Sequence, residues 1–135
     1  MSEGNPKDMT GIWLGEYTYS EPGVPAVSFF ATVSDNKGAL TGTTSERSEF
    51  FADMSEEASI HGQRAGNSIS FHKYYNGDGA YGHVVMYAGY INDNGNIVLG
   101  HWSIEDYSGS FSMWRERFGF DELTTKEERD IVLSR

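Results

Sequence analysis

Along most of this chain apolar and polar residues exchange places at every second position, and turn-forming residues interrupt the alternation about every ten positions. Successive side chains of a strand point to opposite faces, so each such run predicts a strand with one face to bury. The first run is Gly11 to Tyr19, with Trp13, Gly15, Tyr17 and Tyr19 on one face and Ile12, Leu14, Glu16 and Thr18 on the other. Two prolines in Glu21–Pro25 end it, because proline has no ladder donor. Ala26 to Ser34 follows, with Val27, Phe29, Ala31 and Val33 on its apolar face, and Asp35–Gly38 makes a turn in which Asn and Gly take positive φ. Ala39 to Glu46 is a threonine-rich third strand. Residues 47–57 have no clear period and read as a short helical turn or lid that Phe50, Phe51 and Met54 would dock.

Ala58 to Arg64 and Asn67 to Tyr75 form a hairpin around Ala65-Gly66, and Asn76–Gly79 ends it. His83 to Asn92 and Asn96 to Ile104 form another, closed by Asp93-Asn94-Gly95, a strong hairpin signal. Ser108-Gly109 leads into a last strand, Ser110 to Glu116. Eight strands in hairpin order predict an all-β fold, an eight-stranded antiparallel up-and-down barrel, since closing first onto last removes both exposed edges. A two-sheet sandwich is the alternative. Residues 1–10 read as a flexible N-terminus. Residues 121–135 read as a charged tail or short helix, with a capping box at Thr125–Glu128 and a helix over 126–133.

A chain of 135 residues is one domain, burying roughly 70% of its unfolded surface. The absence of cysteine excludes a disulfide scaffold, cysteine–zinc sites and thiol catalysis. No apolar run reaches signal-peptide length or the roughly 20 residues that span a bilayer, so the expected location is the cytoplasm. A formal net charge of −10 repels phosphate backbones and anionic lipid surfaces, which argues against nucleic acid and membranes as partners.

The opening Gly11-Ile-Trp13, the eight hairpin-linked strands and an arginine at the end of the last one resemble the calycins, the group of lipocalins, fatty-acid-binding proteins and avidins. The resemblance implies that Trp13 packs at one barrel end beneath Arg115 or Arg117. Gly38–Thr43 and Gly100-His101-Trp102 are similar to hairpin segments of the avidins, but neither the avidin biotin-binding set nor the further lipocalin signatures are present. A guanidinium over an indole is physically sound in its own right, at about 0.5–2 kcal/mol.

Gly77–Gly82 matches a GxGxxG pattern, yet a strand follows instead of the helix that a dinucleotide site needs. The four histidines fall on four different strands, His61, His72, His83 and His101, and no metal site is expected. His101 shares a face with Ile97 and Leu99, so it is the histidine expected to point inward. The interior set is then Trp13, Tyr17, Phe29, Val33, Leu40, Ile60, Ile69, Phe71, Val85, Tyr87, Leu99, His101, Phe111 and Met113. Rings of this size can fill a small barrel or line a cavity, and both readings stay open.

The leading expectation is a small, partly apolar or aromatic ligand held by Tyr17, Phe29, Phe71, Tyr87, His101 and Phe111, with Trp13 and Arg115 closing the barrel and no cofactor. An interaction module is the second reading, with outward Trp102, Trp114, Ile12 and Leu14 meeting a partner or a second copy. An isomerase or lyase using His101 with Tyr17 or Tyr87 for proton transfer is the third; no nucleophile elbow or triad order is present.

Overall fold

A computed structural model describes residues 5–47, 55–75 and 84–115. They form eight strands: β1 (Gly11–Tyr19), β2 (Val27–Asn36), β3 (Ala39–Arg47), β4 (Ser55–Ala65), β5 (Ser68–Tyr75), β6 (Val84–Ile91), β7 (Ile97–Ile104) and β8 (Tyr107–Trp114). Each pairs antiparallel with the next, and β8 returns to β1 in a register running from Leu14↔Trp114 to Tyr19↔Gly109. The sheet is therefore a closed barrel with up-and-down order, which removes the sandwich alternative. Two strands begin earlier than their sequence patterns indicated: β4 at Ser55, inside the stretch read as irregular, and β8 at Tyr107. The core of the lid reading, the Gly77–Gly82 loop, His83, Arg117, the 126–133 helix and the 121–135 tail lie outside the described residues.

The two ends of the cylinder are built differently. At one, the connections are tight turns. Lys37 and Gly38 both have positive φ (54° and 97°), the mirror-image geometry that matches strand twist; the left-handed pair is thus Lys37-Gly38, one residue beyond Asn36. The Asp35 carboxylate organises this end. It accepts the Gly38 N–H at 2.8 Å, the Met9 N–H at 2.9 Å and the Arg64 Nε–H at 2.6 Å. Burial alone would raise the Asp35 pKa, but the Arg64 hydrogen bond and the two backbone donors outweigh it and hold the carboxyl below its usual range.

Met9 is buried and closes the same end. Residues 5–10, part of the segment read as flexible, are thus folded across the barrel floor. Trp13 is wholly buried, its Nε1–H donating to the Met9 carbonyl at 2.9 Å. The Arg115 guanidinium lies 4.1 Å from the indole centre and donates to the carbonyls of Gly95, Thr10 and Asp8. One side chain thereby ties together β1, β8, the β6–β7 turn and the N-terminal segment.

Above this floor the middle of the barrel is filled. Phe71 and Tyr87, directly opposite on β5 and β6, stack at 4.8 Å with planes 9° apart, and Phe111 meets Tyr87 edge-on at 4.9 Å. Phe29 lies over Gly15, its cross-strand partner, where any Cβ would collide with the ring. A void of only about 10 Å³ remains among Phe29, Thr44, Phe71, Lys73, Tyr87 and Met113.

One strand has the opposite parity to the sequence reading. On β7, Val98, Gly100 and Trp102 face inward, while Leu99 and His101 are exposed on the outer wall. Both faces of this strand carry bulky apolar residues, so alternation by itself did not decide. The register did: Tyr87 opposes Trp102, and directly opposite residues share a face.

Candidate functional site

The other end, the mouth, is where polar groups enter the interior. The inward faces of β3 and β5 run Leu40, Gly42, Thr44, Glu46 and Ile69, Phe71, Lys73, Tyr75, so each carries a charged residue toward the mouth end. Glu46 and Lys73 are both buried, and Lys73 Nζ stands 3.5 Å from Glu46 Oε2, at the outer limit of a direct hydrogen bond. The other carboxylate oxygen, Oε1, accepts two phenol O–H groups, from Tyr17 and Tyr75, each at 3.0 Å.

Three rings surround the amine: Nζ lies 4.8 Å from the Tyr17 centroid, 4.7 Å from Tyr75 and 5.3 Å from Tyr87. Burial pushes the Lys73 pKa down, and the Glu46 charge offsets this only in part. Burial also raises the phenols of Tyr17, Tyr75 and Tyr87, with the Glu46 charge adding to the effect in each, so all three stay protonated and can donate. Below Lys73, the hydroxyl Oγ1 of Thr44 is buried and has no hydrogen-bond partner among the described residues.

A cavity of about 280 Å³ opens onto these groups, lined by Tyr17, Tyr19, Lys73, Tyr75, Val85, Tyr87, Trp102, Ile104 and Tyr107. Trp102 forms one wall: its ring meets Tyr19 edge-on at 5.1 Å and Tyr17 at 5.9 Å, while Nε1–H donates to the Thr18 carbonyl at 2.8 Å. The cavity is near the lower size limit for small-molecule pockets and has their usual make-up, apolar walls with a few convergent polar atoms.

The six side chains expected to hold a ligand are divided by this geometry. Tyr17 and Tyr87 line the cavity. Phe29, Phe71 and Phe111 are buried in the packed middle beneath it. His101 is on the outer wall, in a shallow hollow of about 690 Å³ with Glu16, Ser110 and Ser112. That placement removes His101 from the interior and overturns the proton-transfer reading that paired it with Tyr17 or Tyr87. Trp102 moves the other way, from the outer patch to the cavity wall.

Glu46, Lys73, Tyr75 and Trp102 were missed. Parity was sufficient for the first three, since each continues an inward face already marked by Leu40 or by Ile69 and Phe71. Of the histidines, His61, His72 and His101 lie on three different strands, as expected. His61 and His72 stand directly opposite each other on β4 and β5, flanking the Tyr74 ring at 6.1 and 6.3 Å.

On the outer wall, Phe30, Leu14, Trp114 and Ile97 form one cross-strand row over β2, β1, β8 and β7, all exposed, with Ile12 beside it. Among the described residues no helix is long and apolar enough to cross a membrane.

No protein-family model matches this sequence, and no curated protein matches it. Among solved structures, the chain is similar to a redesigned beta barrel, with a TM-score of 0.66 at 10% identity, covering 86% of this chain and all of the other. At that identity the likeness is one of fold.

Proposed function

We propose that the protein binds a small neutral aromatic or unsaturated molecule in the mouth of the barrel, with one polar atom of the ligand directed at Lys73 and Tyr75. The observation that carries this reading is the contrast along the axis: the barrel is packed in its middle, and a cavity opens at the mouth where Lys73 and the tyrosines converge. The mutual neutralisation of Lys73 and Glu46 favours an uncharged ligand, since a charged one would compete with a buried partner already in place. Kinship with the calycins belongs to the same proposal and is supported by the Arg115–Trp13 stack.

Titration with cinnamyl alcohol, followed in methyl NMR spectra, tests it. Val85 and Ile104 signals should shift in a saturable way while those of Val33 and Ile91, at the floor, stay fixed. Shifts spread over both groups, or none, would remove the proposal.

A second reading rests on the outer row. Phe30, Leu14, Trp114 and Ile97 give a continuous exposed apolar band suited to a second copy of the chain. Sedimentation across a concentration series tests it: a dimer that Trp114→Lys dissolves supports the reading, and a monomer throughout ends it.

A further inference from the structure

The mouth holds one amine under conditions that differ from those of every other described lysine. Lys73 is enclosed by three rings, faces a carboxylate across 3.5 Å, and opens onto the cavity, whereas Lys37 lies on an exposed turn and Lys7 on the N-terminal segment. Resting on the binding reading above, we propose that the ligand class is an aromatic or conjugated aldehyde, and that Lys73 captures it reversibly as an imine.

The chemistry balances within the groups present. Passing one proton from the ammonium to Glu46 Oε2 converts the ion pair into a free amine and a carboxylic acid. The nitrogen lone pair then adds to the carbonyl carbon and the C=O π pair moves to oxygen; the alkoxide takes a proton from the new ammonium nitrogen to give the carbinolamine, whose hydroxyl takes up the proton from Glu46 and leaves as water. The C=N bond forms as the C–O bond breaks, giving a protonated imine. The sum is aldehyde plus lysine ammonium to iminium plus water. The iminium charge replaces the ammonium charge, so Glu46 has a counter-ion at the start and at the end, and the surrounding phenol rings face a cation before and after.

Three further observations agree. Burial depresses the Lys73 pKa, which eases access to the free amine. The Tyr17 and Tyr75 hydroxyls fix the Glu46 carboxylate through Oε1, leaving Oε2 turned toward the amine. The Thr44 hydroxyl, without a hydrogen-bond partner among the described residues, borders the small void beneath Lys73, so the surroundings of the amine retain an unused polar group.

The test treats the full chain with cinnamaldehyde and sodium cyanoborohydride and locates the reduced adduct by peptide mass spectrometry, with cinnamyl alcohol titrated in parallel. The chain has four lysines, Lys7, Lys37, Lys73 and Lys126, so the selectivity is directly readable. Early labelling at Lys73 should exceed that at any other lysine by at least about ten-fold, and Glu46→Gln should slow it. Alcohol binding without preference for Lys73 overturns the imine and leaves the pocket standing. Failure of the alcohol to bind, together with indiscriminate labelling, overturns both. Lys73→Arg, which keeps a cation beside Glu46, should abolish the selective adduct; persistence of a dominant single adduct in that variant also overturns the assignment.

Discussion

Both ends of this barrel bury an acid–base pair, and the pairs differ in nearly every physical respect. At the floor, Asp35 and Arg64 meet at 2.6 Å, and both carboxylate oxygens accept further backbone donors. At the mouth, Lys73 and Glu46 stand 3.5 Å apart, and their other neighbours are phenol groups and ring faces. The floor pair sits among short turns whose geometry it helps to set. The mouth pair borders a cavity. Burial of charge is costly in both places, and among the described residues it is at the floor that backbone donors complete the compensation. The floor pair is therefore chiefly structural, and the mouth pair is suited to a function.

The largest expected effect tests the floor. Asp35→Ala removes the acceptor for Arg64, Met9 and Gly38 together and leaves a partly buried guanidinium and two backbone donors unpaired, which should cost about 3 kcal/mol in urea unfolding. Arg115→Ala should cost less, about 2 kcal/mol, because it removes three carbonyl contacts and one cation–π contact on a partly exposed side chain. At the mouth, the double change Glu46→Gln with Lys73→Met should stay within about 1 kcal/mol of the parent, since both charges go together, while cinnamyl alcohol binding weakens. A double variant as damaged as Asp35→Ala would erase the distinction between the ends.

The pairs also predict opposite pH trends. The depressed Asp35 carboxyl contributes stability that is present above its ordinary value of about 3.9 and is lost as pH falls through the lower folded value. The folded chain holds the Lys73 proton less tightly than the unfolded one. Its contribution to stability therefore rises with pH between the depressed folded value and about 10.4. The raised tyrosines reverse that gain once unfolded phenols begin to ionise near pH 10. Unfolding midpoints of the parent minus Lys73→Met, taken from pH 7 to 9.5, should therefore slope upward, and a flat difference would show that Lys73 is not titrating differently in the two states. Smallest of all, His101→Ala should change stability by no more than about 0.5 kcal/mol and leave ligand binding as it was.

Much of the fold was legible because turns and alternation agreed on seven strands and closure followed from hairpin order. The eighth case, β7, shows where alternation loses its force: Ile97 and Leu99 balance Val98 and Ile104 in bulk, so neither face is marked. The adjacent turn held the missing information. Taking Asn94-Gly95 as the two central turn residues pairs Asp93 with Asn96, and the same count carries Tyr87 onto Trp102. The site was harder to read for another reason. Lys73 and Glu46 lie on inward faces by simple parity, but a charged residue near a strand end is ordinarily at a solvated rim, and only the three-dimensional convergence of β1, β3, β5 and β6 reveals that each has a partner. The segment to Met9 carries no period at all, and its docking depends on Asp35 and Arg115, residues distant in sequence.

The chain has three tryptophans, and the architecture gives each a separate post: Trp13 sealed beneath a guanidinium, Trp102 on the cavity wall, Trp114 in the outer band. The molecule thus carries its own optical instrument. Emission from Trp102 should dim as the cavity fills, Trp114 should shift blue if copies associate, and Trp13 should change only when the floor itself comes apart.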